Sequence, residues 1–308
     1  MTVLGFDTSN YTTSVAIFDG TRGHNVSQLL DVEQGSLGLR QSDALFAHVK
    51  RLPELTDRLF SDIGVLPIHA IGVSTRPRAV EGSYMPCFLA GESQARVLGA
   101  TLGVPVYPFA HQQMHVAASL YSAGAMELMD VPHLAWHLSG GTTELLYVTP
   151  DGRSVHCERI GGTTDISAGQ LIDRTGKLLG LPFPSGRHID ALSQEAVGKD
   201  LFKVKVTGTE FSLSGVQNKV EQYHSGNPAE TAAFALRCVI GAIIKATENA
   251  LETYPGCKVV FAGGVSSNSL LRKRAARLPA VFCQPEFSRD NALGTAILAW
   301  RAHYESHI

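Results

Sequence analysis

Apolar residues come in short runs, each closed by a small polar cluster. Residues 2–7 (Thr-Val-Leu-Gly-Phe-Asp) read as a strand ending in an acid, 8–13 as a polar turn, and 14–18 as a second strand closed by Asp19-Gly20. The unit returns about 130 residues later. There, residues 134–138 form the first strand, Ser139-Gly140-Gly141-Thr142-Thr143 the turn, and 144–148 the second strand, followed by Pro150-Asp151-Gly152. A unit repeated at half-length predicts two lobes built alike, with chance similarity of short strings as the alternative.

Between and after these units the apolar period changes to that of helices. Residues 44–63 have helical spacing, with Pro53 as an expected break or kink. Residues 68–74 read as a buried strand, 91–103 as a helix and 104–107 as a strand. In the second half, 168–179 read as a helix stopped by Gly180 and Pro182, and Pro184-Ser185-Gly186-Arg187 as a loop. Residues 229–251 read as a long helix and 258–262 as a buried strand, with helices over 270–277 and 292–303. Strands alternating with helices predict an α/β protein. The expected division is an N-terminal lobe, 1–108, and a C-terminal lobe, 109–308, with the last helix packing back on the first lobe and a cleft between the two.

Composition narrows the classes. The chain has 308 residues, 44% apolar and 18% charged, enough for a sizeable core and too apolar for disorder. The formal charge is −2, from 26 basic and 28 acidic residues, so any RNA contact needs a local patch or a partner's charge. The five cysteines are far apart and form no CxxC, which suits a reducing compartment. No basic leader or run of about 18 apolar residues is present, so the expectation is a cytoplasmic protein without membrane contact.

Three turns with small residues follow strands: Asp7-Thr8-Ser9, Ser139-Gly140-Gly141-Thr142-Thr143, and Gly263-Gly264-Val265-Ser266-Ser267-Asn268. Their amides can cradle phosphate oxygens, and the last leads into a helix N-terminus; each alone also fits an ordinary tight turn. GxxxxGK[ST] and GxGxxG are both absent, so three turns in duplicated lobes point to an ATP-type nucleotide instead. His111 and His115 form an HxxxH, which on a helix puts two imidazoles on one face, about 5–6 Å apart at Cβ. Surface or capping roles are the plainer alternative. Asp290 sits at an expected helix start, where a cap is its plainer role. His133 and His137 share the four-residue spacing on a strand, where it spans about 13 Å and precludes a shared metal. Asp173 reads from the spacing as a helix-surface ion pair with Lys177 at i+4. Asp165 reads as a cap or loop residue. Asp7 either orients a phosphate or a metal-bound water, or caps a turn.

Together these motifs resemble, in order and over nearly the whole chain, the tRNA N6-adenosine threonylcarbamoyltransferase family, formerly called O-sialoglycoprotein endopeptidases. The matching stretches are Val3-Leu4-Gly5-Phe6-Asp7-Thr8-Ser9, His111 with His115, and Ser139-Gly140-Gly141-Thr142-Thr143. They continue with Asp173 and the run 175–186, Phe211-Ser212-Leu213-Ser214-Gly215, residues 262–268, and Asp290-Asn291. The resemblance implies a two-lobed actin/sugar-kinase-like ATPase fold with duplicated subdomains. It implies one divalent metal (Fe, Zn or Mn) on His111, His115 and Asp290. It also implies an ATP/AMP-type nucleotide or threonylcarbamoyl-AMP on His137, Leu138, Ser139, Gly140, Gly141, Asp173, Gly186 and Asn268, with Asp7 in a catalytic role. The implied reaction is acyl transfer: N6 of adenosine 37 in a tRNA attacks the carbamoyl carbon and AMP leaves. Implied partners are tRNA, reached through partner proteins, and an actin-like-fold subunit.

The chain also departs from the family. Where the family reads Ser-Cys-Asp-Glu-Thr, this sequence reads Ser9-Asn10-Tyr11-Thr12-Thr13, without the two acids. Thr75-Arg76-Pro77-Arg78-Ala79 replaces a Gly-Pro-Gly, and Thr142 stands where a histidine is usual. The chain therefore reads as a divergent paralogue. The alternatives to the family reaction are a metal- and nucleotide-binding transferase with a non-tRNA acceptor, and a non-catalytic partner subunit. The older protease label finds no Ser/His/Asp set, and the HxxxH lacks the glutamate of HExxH.

Overall fold

The structure, a computed structural model, describes residues 1–9, 11–31, 40–224, 226–284, 287 and 291–304. It forms two compact units. Unit 1 comprises Met1–Val131, Thr149–Cys157 and Asp290–Ile308; unit 2 comprises Pro132–Val148 and Glu158–Arg289.

Unit 1 is built on a five-stranded sheet in the order β3-β2-β1-β4-β5. Strands β1 (Thr2–Asp7) and β2 (Thr12–Phe18) are buried along their whole length and pair antiparallel, with Asp7 opposite Ser14. Strand β3 (Gly23–Leu29) pairs with β2 at the sheet edge. Its polar residues hide it from a reading by apolar runs, as expected of an edge strand. Helix α1 (Gln41–Ile63) carries the chain to β4 (Ile68–Arg76), which is parallel to β1. Pro53 lies inside α1 and does not end it. The buried stripe of His48, Leu52, Leu55 and Leu59 runs on both sides of the proline. That packing outweighs the roughly 3 kcal/mol an interior proline costs.

Helix α2 (Phe88–Leu102) leads to β5 (Val106–Ala110), and α3 (His111–Ser122) follows at once. The last helix, α9 (Leu293–Tyr304), packs on β1, β4 and α3 through glycines that let backbones touch. A Cβ on Gly72 would lie 2.1 Å from the Thr295 carbonyl oxygen, and one on Gly294 would lie 2.0 Å from that of Met114.

Unit 2 repeats the plan. Its sheet runs β12-β11-β6-β7-β8-β10-β9. Strands β6 (His133–Leu138) and β7 (Thr143–Asp151) form the antiparallel pair, with Leu138 opposite Thr143. Strand β8 (Ser154–Thr163) lies beyond β7; β11 (Val259–Ala262) and β12 (Ala280–Phe282) continue parallel on the other side of β6. The order third-second-first-fourth-fifth is that of unit 1, with β6–β7 antiparallel and β6–β11 and β11–β12 parallel, as β1–β2, β1–β4 and β4–β5 are. The repeat read from two short sequence strings is thus a duplicated sheet. The short strands β9 (Val206–Thr207) and β10 (Glu210–Phe211) extend it.

Helices α4 (Ala168–Leu178), α5 (Gly186–Ser193), α6 (Ser214–Tyr223), α7 (Pro228–Thr253) and α8 (Ser269–Ala275) complete unit 2. The segment read as a loop at 184–187 instead opens α5, whose two turns start at Gly186. The core centres on α7 and on Trp136, whose indole Nε1–H donates to Thr247 Oγ1 at 2.9 Å. Where the sequence reading divides the chain after residue 108, unit 1 runs on through α3 to Val131, because α3 packs on α9. Among the described residues no helix is long and apolar enough to cross a membrane.

Candidate functional site

In unit 1 the candidate residues gather at the end of β1. Asp7 is fully buried, and three side chains converge on its carboxylate. Ser9 Oγ donates to Oδ2 at 2.7 Å, Ser74 Oγ donates to Oδ1, and His111 Nδ1 lies 3.2 Å from Oδ1. A buried carboxylate is tolerated where donors satisfy it. Thr8 Oγ1 accepts from the Gly91 amide and donates to the Cys87 carbonyl, which ties the turn to the start of α2.

His111 is the first residue of α3 and His115 lies one turn on. Their Nε2 atoms face each other at 2.8 Å, with the ring centroids 4.3 Å apart. With Nδ1–H donated to Asp7, His111 Nε2 carries a lone pair; a carboxylate behind an imidazole in this way fixes tautomer and orientation at metal sites. Two converging Nε2 atoms with such support suit a divalent metal. Among the described residues no three His, Cys, Asp or Glu side chains form a metal-holding group. Asp290 and Asn10, both singled out from the sequence, lie outside the described residues. The chain just after Asp290 is held beside the site, as the Ala292 amide donates to Ser14 Oγ at 2.7 Å, and Ser14 is the ladder partner of Asp7.

In unit 2 the nucleotide candidates are linked by a chain of close contacts. Ser139 closes a tight turn by two bonds with Thr142: its amide donates to the Thr142 carbonyl at 2.8 Å, and its hydroxyl accepts the Thr142 amide at 3.0 Å. Gly140 and Gly141 are exposed at the tip, with open space where a Cβ would stand. Ser167 caps α4 and donates to the Gly140 carbonyl at 2.6 Å. Gly169 lets α4 approach, since a Cβ there would lie 2.5 Å from the Ser139 carbonyl oxygen. His137 is half-buried opposite Ala262, and Leu138 is fully buried. Gly263, at a φ of +93°, brings the third turn against the Leu138 backbone.

Asp173 does not pair with Lys177. Its Oδ1 accepts the Ser185 amide at 2.8 Å, holding the loop that opens α5 and thereby Gly186. Asn268 caps α8 through its Oδ1, which accepts from the Leu271 amide at 3.1 Å, and its Nδ2 donates to Asp190 Oδ1 at 2.9 Å.

Two carboxylates that organise this set escape the sequence reading. Asp190 on α5 holds Asn268, the Ser269 amide and the Ser269 hydroxyl. Asp165, read as a cap or loop residue, is the organiser of the Phe211-Ser212-Leu213-Ser214-Gly215 motif. Burial works against its charge, but hydrogen bonds from Ser212, Ser214 and the Leu213 and Ser214 amides outweigh it and hold the carboxyl well below the usual carboxylate range. A sequence signal exists for Asp165, two residues before the Ser167–Gln170 capping box. Asp190 has none, because its partners are 78 and 79 residues away.

The family model described as "TsaD: tRNA N6-adenosine threonylcarbamoyltransferase" matches residues 33–297. A Carboxydothermus hydrogenoformans protein of that name is 30% identical over 94% of this chain and 89% of its own. A Streptococcus suis protein of the same name is 34% identical over 64% of this chain, a stretch spanning 61% of that relative's length. Among solved structures, full-length HypF in its phosphate- and nucleotide-bound form aligns over 98% of this chain and 46% of its own. Its TM-score is 0.60 at 14% identity. The ROK hexokinase from Thermus thermophilus covers 99% of this chain and 100% of its own, with a TM-score of 0.55 at 16% identity. These likenesses establish an actin/sugar-kinase-like ATPase fold.

Proposed function

The chain belongs to the tRNA N6-adenosine threonylcarbamoyltransferase family, and from that premise we propose that it is a metal-dependent acyltransferase acting on an adenylate donor. The observation that carries this reading is the pair of opposed Nε2 atoms on His111 and His115, 2.8 Å apart, with His111 steadied by buried Asp7. The donor set fits a divalent metal: two imidazoles, with Asp290 as the proposed third ligand. Bound there, the metal supplies Lewis-acid polarisation and a template for the phosphate side of the donor. Asp7 fixes the His111 tautomer and, through Ser9, the turn after β1. In unit 2 the Gly140 and Gly141 amides, at the tip of the turn that Ser139 closes, meet phosphate oxygens, and Asp173 accepts from a ribose hydroxyl.

The proposed reaction forms a bond from an acceptor amine to the threonylcarbamoyl carbon. It breaks the bond from that carbon to the adenylate phosphate, releasing AMP and a proton. The acceptor is N6 of adenosine 37 in a tRNA, met in the cytoplasm with partner proteins, one of them an actin-like-fold subunit. The family's two acids after the first strand are replaced by Tyr11 and Thr12. That removes a general-base candidate and favours, as second reading, a transferase with a different acceptor.

The deciding experiment supplies threonylcarbamoyl-adenylate and unmodified tRNA, with mass spectrometry of the nucleosides. We expect weak modification by this chain alone and stronger modification with a partner subunit; none under any combination moves the acceptor away from tRNA. Elemental analysis of the purified protein is expected to show near-stoichiometric metal, lost in His111→Ala. A metal-free wild type that still binds AMP would remove the metal from the reading.

A further inference from the structure

An open groove of about 820 Å³ runs between α7 and α8 in unit 2. Lys245, Lys273, Arg274 and Arg277 line it against a single carboxylate, Glu248. Glu248 is already bound to Arg277, which leaves three positive charges on one small surface of a chain whose formal net charge is −2. Among the described residues, neither Lys245, Lys273 nor Arg274 is paired with a carboxylate.

Helix dipole explains only part of this. Basic residues in the last turn of α8 complement its C-terminus. Lys245, however, stands in the middle of α7, on the opposite wall. Arg274 is half-buried beside Gly241, and burial lowers its basicity together with the charges of Arg237 and Arg277. Like charges brought together in a partly desolvated groove cost stability unless an anion neutralises them. Neighbouring cations show what the ordinary arrangement looks like. Arg237 donates to the Gly198 and Asp200 carbonyls, and Arg272 lies over the Phe282 ring and donates to the Cys283 carbonyl. Those two have structural duties, whereas Lys245, Lys273 and Arg274 line the groove without a carboxylate partner among the described residues.

We propose that the α7–α8 groove is a docking surface for the phosphodiester backbone of the RNA acceptor, separate from the residues assigned to donor and metal. It rests on the reading of an RNA acceptor and supplies a local patch, one of the two ways in which a chain of net charge −2 can hold RNA. Several spaced cations along an open groove suit a chain of phosphates better than one compact anion.

The test is fluorescence anisotropy of unmodified tRNA titrated with the full chain across a salt series, alongside calorimetry with AMP. For Lys245→Ala and Lys273→Ala we expect a several-fold loss of tRNA affinity and a salt dependence shallower by about one counterion per lost contact. Arg274→Ala should lose more, and the double lysine variant guards against misfolding at the half-buried arginine. AMP affinity should stay unchanged in all of them, as should tRNA affinity in Lys50→Ala on α1. Wild-type binding that is undiminished in the double lysine variant overturns the groove while leaving the RNA acceptor standing. Displacement of tRNA by inorganic phosphate at equal concentration overturns it in favour of a small-anion pocket. A wild type that binds no tRNA, yet is active on it in the transfer assay, overturns the groove alone; inactivity there as well removes the acceptor reading too.

Discussion

Asp173 shows how a local reading of one side chain goes astray. Its i+4 neighbour Lys177 offers a helix-surface pair worth tenths of a kcal/mol, yet the carboxylate turns to the Ser185 amide. That bond ties α4 to the start of α5 and shapes the loop; the ribose contact belongs to the proposed reading. Asp173→Ala is expected to weaken AMP binding by about 1–3 kcal/mol in calorimetry, the range for a hydrogen bond to a charged group; unchanged affinity excludes the role. Asp165 makes a prediction in pH. Its folded-state pKa is depressed, so its contribution is whole above the ordinary carboxylate range and is lost progressively as pH falls from there to the folded value. Asp165→Ala should therefore loosen the 212–214 segment at neutral pH and reduce the acid-dependent loss of stability followed by circular dichroism. Asp7, His111 and His115 were legible in the sequence because strand end and helical spacing are local signals. Ser74, which donates to Asp7 from 67 residues away, was not, because only the parallel pairing of β1 with β4 brings it there.

At the scale of elements, what the sequence concealed had a common cause. Strand β3 and helix α6 lack a strong apolar stripe, β12 has three residues, and α5 starts at a glycine that reads as a turn. The buried strands and α7 were legible because burial on all sides demands continuous apolar runs. Helix α1 was legible too, and of the break or kink expected at Pro53 the break does not occur, since propensity yields to packing. The close approach of α9 to the sheet gives a sharp test. Gly72→Ala would place a Cβ 2.1 Å from the Thr295 carbonyl, a backbone atom that gives way only if α9 shifts. We expect a destabilisation of about 1–3 kcal/mol or more, read as a lower midpoint of thermal unfolding. Gly64→Ala would meet open space; there the cost is that of a φ of +80° alone.

For the whole molecule, the duplicated sheet was readable from two hairpin strings, while the division of the chain was not. A boundary in sequence need not be a boundary in space: unit 1 is completed by 149–157 and by α9, both arriving after segments of unit 2. On a ribosome, residues 158–289 of unit 2 emerge while the face of β1 and β4 that α9 will cover is still bare. Gly5 and Gly72 must then wait for a helix made more than two hundred residues later. Such long-range closure is slow and leaves apolar strand surface open to chaperones or to aggregation in the meantime. A nascent chain halted before α9 would carry a protease-resistant unit 2 and a digestible first unit, so commitment of unit 1 to its native state comes with α9.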